Sequence, residues 1–330
     1  MSRIFSGIQP SGTLHIGNYL GAVKNWAALQ HTHESIFCIV DYHAIIAVYE
    51  PADLRARTAD MIVSLLAAGV DPSRCTLFVQ SMVPEHTELA WIFNTLTPLG
   101  ELERQTQFKD KASREESVPA GLLNYPVLQA ADILLYRADR VPVGEDQVQH
   151  LELSREISRK WNARFDAEAG EGDGYFPEPQ PLLTPSRRIM GLDGKAKMSK
   201  SLGNTVGLLE LPDEIWAKLR PAVTDPKRQR RTDPGTPEVC NIYQLHKAFS
   251  PPETVEHVAV QCSTAGWGCI DCKKVLHESM ERELVPIRSR AREVAANGAL
   301  VKQMIDAGAD HARKIAQETM REVKDRMGLT

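Results

Sequence analysis

Short apolar runs that alternate with helix-like periods through the first half constrain the fold of this chain most. Runs with strand composition lie at 3–8, 35–40 and 76–80, and helix-like periods follow at 16–29 and 51–68. The run Ser-Ile-Phe-Cys-Ile-Val at 35–40 is almost continuously apolar, as expected for a strand buried on both faces. Strands that alternate with helices predict an α/β fold with a Rossmann-like parallel sheet.

The second half of the chain has a different pattern. With 330 residues the chain exceeds one average domain, so we expect a smaller second domain. The stretch 170–185 is rich in Gly, Glu and Pro and is predicted to be a loop. Beyond residue 201 the strand-like runs fade, which indicates a mainly helical region with helices at 212–219, 239–249, 275–296 and 301–327.

Composition limits the partners of the chain. A net charge of -4 gives no overall nucleic-acid signal, so such binding would need local basic patches. The first residues enter a strand pattern directly, and no apolar run reaches the length of a membrane span. We therefore expect a cytoplasmic enzyme without membrane or DNA partners. The basic run Lys227, Arg228, Arg230 and Arg231 is either a solvated face or a phosphate contact, with weaker candidates at Lys273, Lys274, Arg282, Arg288 and Arg290.

A glycine-rich turn follows the first predicted strand. Glycines at 12 and 17 would let the backbone approach a phosphate, and a helix that starts near His15 would offer free N–H groups to an anion. His15 could then stabilise charge that develops on a phosphate. The alternative is a tight turn with a capping histidine.

A second candidate phosphate-binding segment lies at 197–201. Its ammonium groups, Lys197 and Lys200, could neutralise a triphosphate while pyrophosphate leaves. Lys109 and Lys111 could add further charge, although Lys109 is expected to be a surface residue. Without its partner segment, such a lysine-rich loop would simply be a solvated loop.

Four polar side chains are spaced by four, three and four residues in an otherwise apolar segment. This spacing places Tyr125, Gln129, Asp132 and Tyr136 on one face of a helix. A carboxylate there would be costly without a partner. Asp132 either caps a neighbouring backbone or accepts a hydrogen bond from a ligand N–H, for which indole is suitable because it has one donor and no acceptor.

Two further segments could contact a ligand at the carboxyl edge of the sheet. The segment 141–147 contains a glycine and clustered acids, and Asp146 could bind ribose hydroxyls. An acidic surface turn is the alternative. His43 follows the second predicted strand and either contacts substrate or has a structural role.

Four of the six cysteines crowd into 33 residues near the C-terminal third. Cys240, Cys262, Cys269 and Cys272 have the spacing C-x21-C-x6-C-x2-C. Four thiols of this kind can bind zinc or an iron–sulfur cluster, and spacing alone does not choose between them. A reducing cytoplasm disfavours disulfides, and unligated cysteines are the remaining alternative.

The two phosphate segments together resemble the signatures of class I aminoacyl-tRNA synthetases. Residues 15–18 match the HIGH signature, with Asn18 in place of its second histidine, and 197–201 match KMSKS completely. The stretches 7–19, 124–128 and 130–134 are similar to the tryptophanyl-tRNA synthetase family, although Gln129 departs from the methionine known there. The cysteine spacing resembles a subset of that family that carries a [4Fe-4S] cluster, with a first gap one residue shorter.

The resemblance implies the site residues. His15, Asn18, Lys111, Lys197 and Lys200 would be catalytic. The ATP-binding residues would be Gln9, Pro10, Ser11, Gly17, Asn18, Gly144, Glu145, Asp146, Ile189, Lys197, Met198, Ser199, Lys200 and Ser201. The tryptophan-binding residues would be Phe5, Gly7, Gln9, His43, Tyr125, Gln129, Asp132, Val141, Val143 and Gln147.

The resemblance also implies an activity, cofactors and an assembly. The chain would ligate L-tryptophan to tRNA(Trp) with ATP and Mg2+, as a homodimer. It would comprise a catalytic domain at 1–203 with the dimer interface, an anticodon-binding domain at 204–298 and a final helix at 299–330 packing back on the first. A [4Fe-4S] cluster is favoured over Zn2+ at the cysteines. A tyrosyl-tRNA synthetase and a non-catalytic tRNA-binding relative remain as alternatives.

Overall fold

A five-stranded sheet lies at the centre of the computed structural model, which describes residues 2–106, 108–109, 117–144, 148–166, 174–183, 189–199 and 202–329. All neighbouring strands are parallel. This confirms the predicted Rossmann-like α/β class. The strands are β1 (Arg3–Ile8), β2 (Glu34–Ile39), β3 (Thr76–Val79), β4 (Arg140–Val143) and β5 (Gln180–Leu183), in the spatial order β3-β2-β1-β4-β5.

The sheet separates two apolar cores. In β2, Phe37 and Ile39 pack into one core, whereas Ile36 and Cys38 pack into the other. Successive side chains of a strand point to opposite faces, so a strand covered on both sides needs apolar residues at every position. This is the physical reason for the continuous apolar run in the sequence.

Helices cover the sheet and form the second half of the chain. Those of the first half are α1 (Ile16–Asn18), α2 (Lys24–Leu29), α3 (Asp41–Ala44), α4 (Pro51–Ala67), α5 (Glu85–Asn94), α6 (Leu99–Glu103), α7 (Ala120–Leu134) and α8 (Val148–Phe165). Those of the second half are α9 (Pro212–Leu219), α10 (Asn241–Phe249), α11 (Pro252–Ser263), α12 (Cys269–Ala296) and α13 (Gly298–Met327).

Several elements differ from the sequence predictions. The helix expected at 16–29 contains a π-helical stretch at Tyr19–Val23. The expected loop at 170–185 includes β5, because Gln180–Leu183 pairs with β4. No helix was predicted at the positions of α3, α5, α6, α8 and α11, and α12 starts six residues before the predicted 275. For β5 the pairing with β4 decides the conformation, because its residues Gln-Pro-Leu-Leu show little strand pattern of their own.

The final helix lies against the sheet. A Cβ on Gly308 would come 2.0 Å from the carbonyl oxygen of Leu77 in β3, so only glycine permits this approach. Arg313 Nη2 donates to the Met82 carbonyl at 2.8 Å. These contacts bring the last helix onto the first half of the chain.

The strand order fixes where a ligand can bind. The chain moves outward from β1 in one direction to β2 and β3, and in the other to β4 and β5. A crevice therefore opens at the carboxyl ends of β1 and β4, which is the usual ligand site of such sheets. None of the helices in the described part of the chain is long and apolar enough to cross a membrane.

Candidate active site

A cavity of about 1360 Å³ opens at the carboxyl ends of β1 and β4. It exceeds the roughly 300–1,000 Å³ of an ordinary small-molecule pocket, so it has room for two ligands side by side. Residues from β1, β4, α3 and α7 line its walls. The predicted site residues among them are Phe5, Gly7, Gln9, Pro10, Ser11, His43, Tyr125, Gln129, Asp132, Val141, Val143 and Gly144.

Asp132 is the buried polar centre of this cavity, with 2% of its surface exposed. His43 Nε2 lies 2.8 Å from Oδ2, and His86 Nδ1 lies 2.7 Å from Oδ1. Gln80 Nε2 donates to Oδ1 at 2.6 Å. Burial would raise the pKa of Asp132, but the interactions with His43 and His86 hold it well below its ordinary value. The carboxylate is thus kept ionised by side-chain partners, whereas backbone capping was the alternative.

His86 and Gln80 are parts of the site that sequence reasoning missed. Gln80 directly follows β3 and therefore lies at the ligand edge, a signal that could have identified it. His86 lies in α5, where nothing in the local pattern marks it. Its Nε2 is 2.8 Å from the hydroxyl of Tyr136.

The predicted helical face is only partly correct. Tyr125, Gln129 and Asp132 share α7 and line one cavity, as their spacing predicts. Tyr136 lies beyond the end of α7 and is fully buried against His86. Tyr125 places its hydroxyl 3.1 Å from His150 Nε2, and burial raises its pKa to about 12.

The first phosphate segment forms a capped helix start. Asn18 N donates to His15 Nδ1 at 3.2 Å, and His15 N donates to Asn18 Oδ1 at 3.4 Å. The alternative of a capping histidine is therefore observed, and it has a chemical consequence. With Nδ1 accepting, the neutral ring carries its proton on Nε2, which makes Nε2 a hydrogen-bond donor.

The second phosphate segment packs against the first. A Cβ on Gly17 would lie 3.4 Å from Met198 Cβ and 2.9 Å from His15 Nδ1, so glycine is needed where they meet. Ile16 N also donates to Val206 O at 2.9 Å, just beyond the lysine loop. The fold thus brings together two segments about 180 residues apart in sequence.

Local contacts shape the lysine loop, residues 189–199 of the described chain. Met190 bridges Lys197 in antiparallel fashion, while Ile189 and Met198 are buried and Lys197 is exposed. Ser199 N donates to Asn204 Oδ1 at 2.8 Å. Six predicted site residues lie outside the described residues: Lys111, Glu145, Asp146, Gln147, Lys200 and Ser201.

Comparison with known proteins identifies the family. Residues 1–285 match the family described as tRNA synthetases class I (W and Y). A tryptophan–tRNA ligase of Deinococcus radiodurans is 54% identical, covering 100% of this chain and 99% of the relative. The chain belongs to the class I tRNA synthetases.

Two other relatives of the synthetase also match over nearly their full lengths. A tryptophan–tRNA ligase of Thermosynechococcus vestitus is 44% identical, covering 99% of each chain. A solved tryptophanyl-tRNA synthetase of Campylobacter jejuni, complexed with ADP and tryptophan, has a TM-score of 0.87 and 35% identity. That comparison covers 99% of this chain and 100% of the other.

The four clustered cysteines of the synthetase lie at helix ends. Cys240 precedes α10, Cys262 lies in the last turn of α11, and Cys269 and Cys272 lie in the first turn of α12. Burial and repulsion from the other three thiols raise the pKa of Cys272 to about 12. All four are free thiols. Within the described residues, no three His, Cys, Asp or Glu side chains form a group that could hold a metal ion.

The basic residues divide into exposed and engaged groups. Lys227, Arg230 and Arg231 are exposed, whereas Arg228 donates to the Trp267 carbonyl and approaches Cys262 Sγ at 3.8 Å. Two of the weaker nucleic-acid candidates, Lys273 and Arg288, are buried and their charged groups bond inside the protein. Lys273 donates to the carbonyls of Arg220 and Ala222, and Arg288 contacts Glu210 and Glu281.

Proposed function

We propose that the protein is a tryptophan–tRNA ligase, which activates L-tryptophan with Mg-ATP and then charges tRNA(Trp). The observation that carries this proposal is the ionised, buried Asp132 in the wall of a cavity that Phe5, Val141 and Val143 also line. Such a group accepts hydrogen bonds only, and indole supplies one N–H and no acceptor. The relatives named as tryptophan–tRNA ligases, and the solved relative with ADP and tryptophan, support the same substrate.

The amino acid would bind at the inner end of the cavity. Phe5, Val141 and Val143 would pack against the indole ring, and Asp132 would accept its N–H. His43, Gln9, Gly7, Tyr125, Gln129 and Gln147 complete the proposed amino-acid site.

ATP would bind toward the two phosphate segments. The tryptophan carboxylate attacks the α-phosphate, giving tryptophanyl-adenylate and pyrophosphate, and the acyl group then passes to the terminal ribose of the tRNA. His15 Nε2–H and Asn18 would stabilise charge at the α-phosphate, while Lys197, Lys200 and Lys111 neutralise the leaving pyrophosphate. The remaining proposed ATP contacts are Pro10, Ser11, Gly17, Gly144, Glu145, Asp146, Ile189, Met198, Ser199 and Ser201. Catalysis is by positioning and charge stabilisation, without a covalent nucleophile.

The domain division and a homodimer belong to the same proposal. Residues 1–203 would form the catalytic domain, 204–298 the anticodon-binding domain, and 299–330 the returning helix. Trp91 and Leu99 support an interface on the first of these, since they are 71% and 60% exposed on consecutive helices α5 and α6. Burial of these two side chains against a second copy would remove their apolar surface from water, which favours association.

A [4Fe-4S] cluster at the four cysteines is the metal proposal, with Zn2+ as the alternative. The electrostatic interaction of Cys272 with the thiols of Cys240, Cys262 and Cys269 supports it, although these side chains do not form a metal-binding group in the described part of the chain. Gly235 also suits a crowded site, because a Cβ there would lie 2.6 Å from Cys262 Sγ. A bound cluster would supply a structural link between these helix ends. A cytoplasmic location completes the proposal.

ATP–pyrophosphate exchange with single amino acids tests the function. We expect exchange with tryptophan and none with tyrosine, and charging of tRNA(Trp) transcripts. Exchange with tyrosine alone would identify the protein as a tyrosyl-tRNA synthetase. No exchange with either amino acid would favour a non-catalytic tRNA-binding protein. Iron and zinc analysis of the same anaerobically purified sample decides the metal proposal separately.

A further inference from the structure

We propose that His86 is a positioning residue for recognition of the substrate ring, holding Asp132 so that its second oxygen can accept the indole N–H. This inference rests on the proposed function. His86 lies on α5 with 0% of its surface exposed, whereas Asp132 lines the cavity. His86 would thus act on the substrate through Asp132 only.

The protons of the network can be assigned from its partners. An ionised carboxylate only accepts, so the 2.7 Å contact with Asp132 requires a proton on His86 Nδ1. The hydroxyl of Tyr136 is fully buried and needs an acceptor, and His86 Nε2 lies 2.8 Å away. Tyr136 therefore donates to Nε2, which fixes His86 as the neutral tautomer that donates to Asp132.

Gln80 is oriented in the same way. Its Oε1 accepts from Tyr42 N at 3.1 Å, so its Nε2 must be the group 2.6 Å from Asp132 Oδ1. Gln80 and His86 together fill the two acceptor positions of Oδ1. A carboxylate has about four such positions.

The remaining positions belong to Oδ2. His43 Nε2 occupies one of them at 2.8 Å. The contacts of the described residues leave one acceptor position on Oδ2, on a residue that lines the cavity. A substrate with a single ring donor fills this last acceptor position of Asp132. His86 keeps the carboxylate from rotating, so the position stays directed at the substrate.

The test compares L-tryptophan with β-(3-benzothienyl)alanine, in which sulfur replaces the indole N–H. In ATP–pyrophosphate exchange we expect the native protein to prefer tryptophan by about ten- to a hundredfold in kcat/KM, as for a hydrogen bond to a charged group. His86→Leu should reduce that preference by about tenfold, mainly through the KM for tryptophan. The KM for ATP should stay within about twofold, because the phosphate segments are untouched.

Two conservative variants separate positioning from packing. His86→Asn keeps an N–H near the position of Nδ1 and should restore most of the preference. Tyr136→Phe removes the hydroxyl that donates to His86 Nε2, so the proton of His86 is no longer fixed on Nδ1. This variant should lower the preference for tryptophan by about threefold. If His86→Leu does not fold, these two variants decide the question.

Equal losses for both amino acids in His86→Leu would reduce His86 to a packing residue and overturn the inference. An unchanged preference in Tyr136→Phe together with a lost preference in His86→Asn would do the same. Failure of the proposed function looks different, because the native protein would then exchange with neither tryptophan nor its sulfur analogue.

Discussion

The two ends of the active site are built differently. At the amino-acid end, Asp132 receives side-chain hydrogen bonds from His43, Gln80 and His86, which lie on different elements and are all buried. At the phosphate end, Lys197 is exposed on a loop that backbone bridges and asparagine side chains hold in place. A buried network of hydrogen bonds is rigid, whereas an exposed lysine on a loop can follow a charge as it moves.

This difference predicts that the amino-acid end determines substrate specificity and that the phosphate end determines the rate of the chemical step. Substitutions at the amino-acid end should act mainly on KM for tryptophan, because the network is formed before the substrate arrives. Substitutions at the phosphate end should act mainly on kcat, since charge develops there only in the transition state. If substitutions at either end changed KM for tryptophan and kcat together, the two ends would not have separate roles.

Lys197→Ala should have the largest effect. We expect kcat for ATP–pyrophosphate exchange to fall by about 10²–10³, because one donor to developing phosphate charge is lost in the transition state. The KM for tryptophan should change by less than about threefold. Lys195→Ala is the matched control, since Lys195 is an exposed lysine two residues away. Equal losses in both variants would indicate only a general charge effect of the loop.

Much of this division could be predicted from the sequence. The two phosphate segments and Asp132 were found because glycine, lysine and a carboxylate are unusual in those local settings. The strand β2 was predicted from its continuous apolar run, because only a strand covered on both faces needs apolar residues at every position.

The rest depended on contacts between distant segments. His86 and Gln80 lie 46 and 52 positions from Asp132. The place of Gln80 after β3 puts it at the ligand edge, but nothing local marks either residue as a partner of Asp132. β5 forms because β4 offers it a parallel edge, and its own four residues show little strand pattern. Such information lies in the tertiary structure.

Acid should weaken the amino-acid end first. Because the folded pKa of Asp132 is lowered, its contribution to stability is fully present above its unfolded value of about 4 and is lost as pH falls toward the folded value. We expect the free energy of unfolding to fall more steeply in the native protein than in Asp132→Asn below about pH 4. The difference should reach up to about 1.4 kcal/mol per pH unit. Urea unfolding of both proteins between about pH 5 and 3 measures it, and parallel curves would show that Asp132 is not held ionised.

Asn241→Ala should act on the phosphate end from the second half of the chain. Asn241 Nδ2 donates to the Gly191 carbonyl at 2.8 Å in a buried position, directly after Cys240. Its loss should loosen the lysine loop and lower kcat by about tenfold, with little change in KM for tryptophan.

The control for Asn241 is Gln244→Ala on the same helix, α10. Gln244 donates to the carbonyl of Glu238, away from the lysine loop, so its removal should leave kcat within about twofold. Metal analysis of both variants must match the native protein. A loss of kcat that follows metal content would assign the effect to the cysteines instead of the loop.

Gln129→Met should have the smallest effect and tests how finely the amino-acid end is tuned. Gln129 is half-buried on α7 and lines the cavity beside Asp132. Methionine would place an apolar, polarisable thioether against the indole ring and remove an amide that the substrate must desolvate. We expect the KM for tryptophan to fall about threefold with kcat unchanged, measured by the same exchange assay. A rise in KM would instead mean that the Gln129 amide hydrogen-bonds the amino acid, so that the specificity of this end is shared between Gln129 and Asp132.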